Sequence, residues 1–521
     1  MSNFRRTAIA SVINLALLGI TDAQAADTEA LERRIHELES RLTRMDQLEA
    51  RLEKLDQAGA LSAKSATAVA APSPEVEKLN RKVNTLERKL EVQDEVTTST
   101  FKKLPIFDAG DNGFRITSAN KEHQVRIRAA TQVDGRFFLD KDHGFNNNSF
   151  DVKQARLWLE GYVFKNIYYK IMPDFAASGN ILPDAYIDYA YHPSASLLVG
   201  KFKPSVSLER LQGDSDGTFL ERAFPTYLAP NRDVGIQVHG GFAKPGYTAE
   251  TVPGPIDSKN FFTYQLAVDN GSGDNGSPNY NGADTNNNKE FVGRVFAQPF
   301  QHTSYSWLEG LGIGLAGTAD DPNKQTLINQ ATPIGRTTYL NYSNTFKNAA
   351  GTAYDAPTSD GARHRIYPQA YWYSGPFGLM GEYVTSSQHL LGTNKAGKLV
   401  NVQQDNKAWQ VFGSYVLTGE DNTFGLVKPI QNFNPLENRW GAFQLAARWT
   451  EMDIDKSTFQ IIDPSKAPNR ATAWALGVNW YLNPYALVRA DFEQVYFNGG
   501  AAKGGNRPTE NVFATRFQLS F

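Results

Sequence analysis

The stretch VFATRFQLSF, residues 512–521, decides how the chain is read. Phe513, Thr515, Phe517, Leu519 and Phe521 alternate with Ala514, Arg516, Gln518 and Ser520. A repeat of two residues is that of a β-strand whose side chains point to opposite faces. One face here is apolar and the other polar. Terminal segments usually fray unless something holds them, so the remaining sequence must supply both a partner for this backbone and a cover for this apolar face.

Working outward, the same alternation recurs from about residue 105 onward. It predicts sixteen strands, at about 125–138, 153–165, 167–176, 183–192, 196–204, 233–243, 260–269, 289–300, 308–318, 363–374, 377–388, 406–418, 439–453, 470–482, 485–497 and 509–521. The shortest connections follow strands 2, 4, 10 and 14, whereas long polar stretches such as DNGSGDNGSPNYNGADTNNN follow odd-numbered strands. Short turns at one end and long loops at the other are the pattern of a bacterial outer-membrane barrel. Lipid then covers the apolar face, and closure of the sheet satisfies the backbone. The connections near 244–259 and 419–438 are longer than this pattern asks, and the strand count is weakest there.

The other end of the chain is different. Arg5 and Arg6, the apolar run AIASVINLALLGI and the small-residue pattern Ala23-Gln24-Ala25 read as a secretory signal over residues 1–25. Leu31, Ile35, Leu38, Leu42 and Met45 follow a 4-3-4-3 spacing, the seam of a coiled coil, with a stammer between Met45 and Leu48. An Ala/Ser/Pro linker at 57–74 interrupts it, and the seam resumes at Val76, Leu79, Val83, Leu86 and Leu90. Residues 26–104 are thus expected to form a periplasmic stalk ahead of a barrel over 105–521. Short exposed helices of this kind are marginal alone and call for self-association, with a parallel trimer expected.

Composition agrees with a β-rich chain: of 521 residues, 31 are Phe and 22 Tyr. The formal net charge of −2 gives no sign of a nucleic-acid partner. There is no Cys, which excludes disulfide scaffolds and Cys-based metal or redox sites. The eight His include no HExxH pair, and neither a nucleophile motif nor a nucleotide fold is found. GLGIGLAG (310–317) reads as a strand rather than a phosphate loop, and GDSDG (213–217) as solvated loop rather than a calcium site. No cofactor and no enzymatic step are expected.

Several stretches in order resemble the phosphate-selective outer-membrane porin family. They are GFRIT with QVRIRAATQVDGRFF (113–138), ARLWLEGYVFKNIYYKIMPDFA (155–176), DAYIDYAY (184–191), GKFKPSVSLERL, TFLERAF and APNRDVGIQVHG (within 200–240), YVLTGED (415–421) and LGVNWYLNPYALVRADFEQVYF (476–497). The resemblance implies a sixteen-stranded homotrimer with its third loop folded into the lumen. Phe521 also resembles the terminal signal by which the barrel-assembly machinery recognises outer-membrane proteins.

Alternation assigns the lumen face. Placing Ile127, Ala129, Val133 and Phe137 against lipid turns Arg126, Arg128 and Arg136 inward, along with Gln132 and Asp134. The same rule turns in Arg156, Lys170, Lys201, Lys203, Arg294, Arg448, Arg489 and Arg516. An Arg or Lys facing mid-bilayer lipid would cost roughly 2–4 kcal/mol. Residues 204–232 follow an odd strand and are too long for a turn; Phe219, Phe224 and Tyr227 can anchor them as a constriction loop. That loop carries Arg210, Arg222 and Arg232 against Glu209, Asp214, Asp216 and Glu221, so it has no cationic excess of its own. The expected function is passive diffusion of small anions, phosphate among them, past a row of weak cationic sites. Alternatives are a porin for other small polar solutes such as sugars, with an aromatic track from Trp158, Tyr162, Tyr186 and Tyr481, or a structural tether from outer membrane to peptidoglycan through the stalk.

Overall fold

The computed structural model describes residue 50 and residues 74–101, 103–110, 113–139, 146–177, 181–255, 259–271 and 287–521. The leader at 1–25, nearly all of the seam over 28–56 and of the linker over 57–74, and most of the polar run after Asp269 lie outside the described residues. Two units are distinguished, divided between Thr98 and Ser99. In the first, helix α1 (Pro74–Phe101) carries the second seam, and Leu86, Leu90 and Val92 are exposed along it.

The second unit is a closed antiparallel barrel of sixteen strands. They are β1 (Gln124–Phe138), β2 (Ser149–Val163), β3 (Ile167–Met172), β4 (Asp184–His192), β5 (Ala195–Phe202), β6 (Asp233–Phe242), β7 (Phe262–Asp269) and β8 (Glu290–Ala297), followed by β9 (Leu311–Asp320), β10 (Thr358–Ser374), β11 (Phe377–Thr393), β12 (Leu399–Val416), β13 (Ala442–Asp453), β14 (Pro468–Tyr481), β15 (Ala486–Gly499) and β16 (Glu510–Ser520). All sixteen expected strands are present, including β9 where GLGIGLAG lies. Each pairs with its sequence neighbour. The ring closes through β16 on β1, in register from Val512↔Phe138 to Ser520↔Ala130.

The two faces are inverted relative to a soluble protein. In β16, Phe517 is 62% exposed, with Phe513 and Leu519 also outward, while Arg516 is 1% exposed and faces the lumen. The same exchange runs round the wall, with Ile236, Leu266, Phe291 and Ile366 outward and Gln237, Gln265, Arg294 and Arg365 inward. This is the burial pattern of a barrel with lipid outside and a polar interior.

The interior is not an open tube. Residues 203–232, between β5 and β6, fold into it through a short helix α2 (Leu208–Leu211) capped by Ser207, then a 3₁₀ turn (Phe224–Tyr227). Part of the long connection after β9 folds inward too, with Ile334, Tyr339 and Leu340 buried. Phe224 packs edge-on against Tyr339, and Phe219 against Phe412 of β12. These contacts sit in two apolar clusters between the inward loops and the wall, and burying each such ring contributes about 1.5–3 kcal/mol.

Among the described residues, the two long even-numbered connections hold no extra strand. Both turn back toward the barrel mouth. In the first, Gly254 has a φ of +100° and donates its N–H to Asp188 of β4 at 2.6 Å. In the second, Val427 packs with Val416, Tyr481 and Leu487, and Asn422 reaches Ser414 and Gln444. A further hairpin, Ile106–Gly110 with Gly113–Thr117, continues the sheet beneath β16 by pairing with the first residues of β1. Phe114 meets Phe521 edge-on there.

Candidate conduction site

Backbone and side-chain hydrogen bonds from nearly the whole circumference hold the inward loop. Asp491 accepts from Leu220 N at 2.7 Å, Glu382 from Leu208 N at 2.8 Å, and Tyr367 donates to Leu228 O at 2.7 Å. Asn479 donates to Thr218 O, Gln369 to Val206 O and Gln518 to Ser215 O. GDSDG is therefore not solvated loop: it lies inside the barrel against β1, β2, β15 and β16, and Asp214 is gripped by Arg156 and Arg222, with Arg232 at 3.8 Å.

Asp214 marks the junction between two cavities. The first, about 270 Å³, lies on the outer side and is lined by Lys153, Arg156, Arg210, Arg222, Arg232 and Arg516 against Glu209, Asp214 and Glu221. The second, about 470 Å³, lies toward the short-turn end and is lined by Arg128, Arg156, Lys170, Lys203, Arg232 and Lys428 against Asp184, Asp214 and Asp216. Arg156, Asp214 and Arg232 border both. Each cavity thus has six basic against three acidic side chains, although the loop over 203–232 alone carries four of each. The wall supplies the positive excess.

The acids are partners of these bases. Burial would raise the carboxyl of Asp214, but Arg156, Arg222, Lys203 and Arg232 outweigh it and hold it well below the usual carboxylate range. Glu221 is held low in the same way, by Arg336, Lys153, Arg516 and Arg136. Both stay ionised at neutral pH.

The expected residues fall into distinct groups. Arg156, Lys203, Arg210, Arg222 and Arg232 come together around the junction. Lys203 donates to the carbonyls of Arg210 and Gln212, and Arg210 to that of Thr226. Lys170 and Arg232 share Asp184, at 2.9 and 2.6 Å. Arg126 and Arg128 meet on Glu160, lower in the wall. Arg136 joins Asp134, Asp151 and Glu221 above the first cavity. Arg448 reaches Glu493 at 3.1 Å and donates to Glu221 O, with its guanidinium over Phe219. Lys201 donates to Leu182 O, and Arg294 lies apart from the junction, bonded to Gln265 and Gln369.

Three bases here were not picked out from the sequence, one of them Lys428 in the connection after β12. Lys153 sits at a β-bulge, where Gln132↔Gln154 is followed by Val133↔Val152. The extra residue breaks the period of two and brings Lys153 Nζ to Glu221 at 3.1 Å. Arg336 lies in the inward part of the connection after β9 and also binds Glu221. No strand periodicity could have pointed to it.

A family model described as phosphate-selective porin O and P matches residues 125–521. Porin O of Pseudomonas aeruginosa is 24% identical over 445 residues, spanning 78% of this chain and 91% of that protein. Among solved structures, a loop-deletion form of OmpT, an outer membrane protein of Vibrio cholerae, is 12% identical with a TM-score of 0.45, covering 77% of this chain and all (100%) of that one. An anion-selective porin from Comamonas acidovorans is 10% identical with a TM-score of 0.42, with coverage of 77% and 100%.

Proposed function

Because the chain belongs to the phosphate-selective porin O and P family of bacterial outer-membrane channels, we propose that it conducts small anions, phosphate among them, by passive diffusion. The observation that carries this reading is the twofold excess of basic over acidic side chains in both cavities. An anion entering the first cavity meets Arg210 and Arg222, crosses beside Asp214 under Arg156 and Arg232, and leaves past Lys170 and Arg128. The carboxylates are part of the device: by sharing each guanidinium they keep every site weak, so the ion moves on. The oxygens of phosphate suit the planar donor forks of Arg. No bond is made or broken, and the relatives are channels rather than enzymes.

The test is the reversal potential of the purified protein in a planar bilayer under a salt gradient. Anion selectivity, with current block by millimolar phosphate, is expected; cation selectivity would overturn the reading. A sugar path is less well supported, because Tyr481 is buried in a wall cluster and donates to Gln444.

For the stalk we propose a parallel trimer joined through the exposed Leu86 and Leu90 of α1, on the periplasmic side and within reach of peptidoglycan. Cysteines placed at residue 86 should cross-link into trimers; monomers alone under oxidising conditions would refute it.

A further inference from the structure

The two cavities differ in more than size. The first is walled mainly by charged and polar groups, whereas the second also carries Trp158, Met172, Tyr186, Leu211 and Leu426 among its bases. Bases and rings alternate across neighbouring strands there, Arg128 of β1 opposite Trp158 of β2 and Lys170 of β3 opposite Tyr186 of β4. The Arg128 guanidinium lies over the indole, 5.2 Å from the ring centroid. It reaches Glu160 through Nε at 3.1 Å, and its side chain is 34% exposed. Arg128 lines the second cavity. Lys170 repeats the arrangement beside Tyr186, 5.8 Å from that ring.

Inorganic phosphate would engage the bases of this chamber and leave its apolar groups wet. An anion with a ring beside its charge would engage both kinds of group, setting oxygens on Arg128 and the ring beside Trp158. We propose that the inner chamber is a binding site for aryl anions, such as aryl phosphates and aryl carboxylates, with Arg128 and Trp158 setting that preference. The proposal rests on the anion-channel reading and names the solute class it favours.

Phenyl phosphate and inorganic phosphate, added in turn to purified channels in a planar bilayer, provide the test through their half-blocking concentrations. Phenyl phosphate should block at about tenfold lower concentration, the effect of one ring packed against aromatic and aliphatic side chains. Trp158→Ala should weaken block by phenyl phosphate roughly fivefold more than block by phosphate, and Trp158→Phe, which keeps a ring, should retain most of the preference. Equal block by the two anions, or a preference that survives Trp158→Ala, would overturn the inference while an anion-selective reversal potential left the channel reading intact. A cation-selective channel blocked by neither would overturn both.

Discussion

At Asp214 a single carboxylate stands among three guanidiniums where the two cavities meet. Asp214→Asn removes one negative charge from that point. A unit charge about 4 Å from a passing ion in water-like surroundings is worth about 1 kcal/mol, so the anion-to-cation permeability ratio should rise roughly fivefold in reversal-potential measurements. Protonation of the same carboxylate would raise anion preference, but its pKa is held well below the usual carboxylate range. Asp214 should therefore add nothing to any change in selectivity between pH 7 and pH 5: Asp214→Asn and wild type should show the same pH response over that interval, and a response present in wild type and lost in the variant would contradict the ion-pair geometry. At this scale the sequence was informative on the strands and on the loop bases Arg210, Arg222 and Arg232, and mute on Lys153, Arg336 and Lys428. Arg126, Arg128 and Arg156 could be turned inward because their neighbours Ile127 and Leu157 are so clearly lipid-facing. Lys153 could not, because a bulge is a matter of register between two strands and leaves no mark on either one alone.

The inward loop is an element without periodicity. Its length and its three aromatic residues suggested that it is ordered, yet its path follows from partners distant in sequence, such as Asp491 on β15 and Glu382 on β11. Asp491→Ala would leave the Leu220 N–H without its acceptor in a buried site, a loss of about 1–3 kcal/mol confined to the loop anchor. Open-channel current noise should increase as the loop samples more positions, while the barrel still folds. The two long connections at the short-turn end show the same limit on sequence reading. Their length was visible, but whether that length added strands or bent into the mouth depended on contacts such as Gly254 with Asp188. The hairpin of Ile106–Thr117 went unread because two strands of 5 residues each are too short for alternation to register.

For the whole molecule, the strand inventory was legible because lipid and water impose opposite demands on alternate residues of every wall strand. What closes the ring is also electrostatic. Arg516 of β16 binds Asp134 of β1 at 2.6 and 2.7 Å, with both groups buried, and Arg136 shares the same carboxylate. Asp134→Ala would take from the buried Arg516 its bonded carboxylate, leaving Glu221 at 3.6 Å, while Arg136 keeps Asp151 and Glu221, and would cost about 3 kcal/mol. The compact form seen on electrophoresis without boiling should then convert to the unfolded band at a lower temperature than wild type. The position of the seam has a consequence for biogenesis. Backbone bonds between Ala129 and Phe521, both at 2.9 Å, fasten the most recently synthesised wall segment to the earliest. Until translation and export deliver that final stretch, the nascent sheet carries two bare margins, each a template for pairing with a stray neighbour. Premature stop codons upstream of β16 should thus yield material that aggregates or is degraded in transit, rather than a smaller working pore.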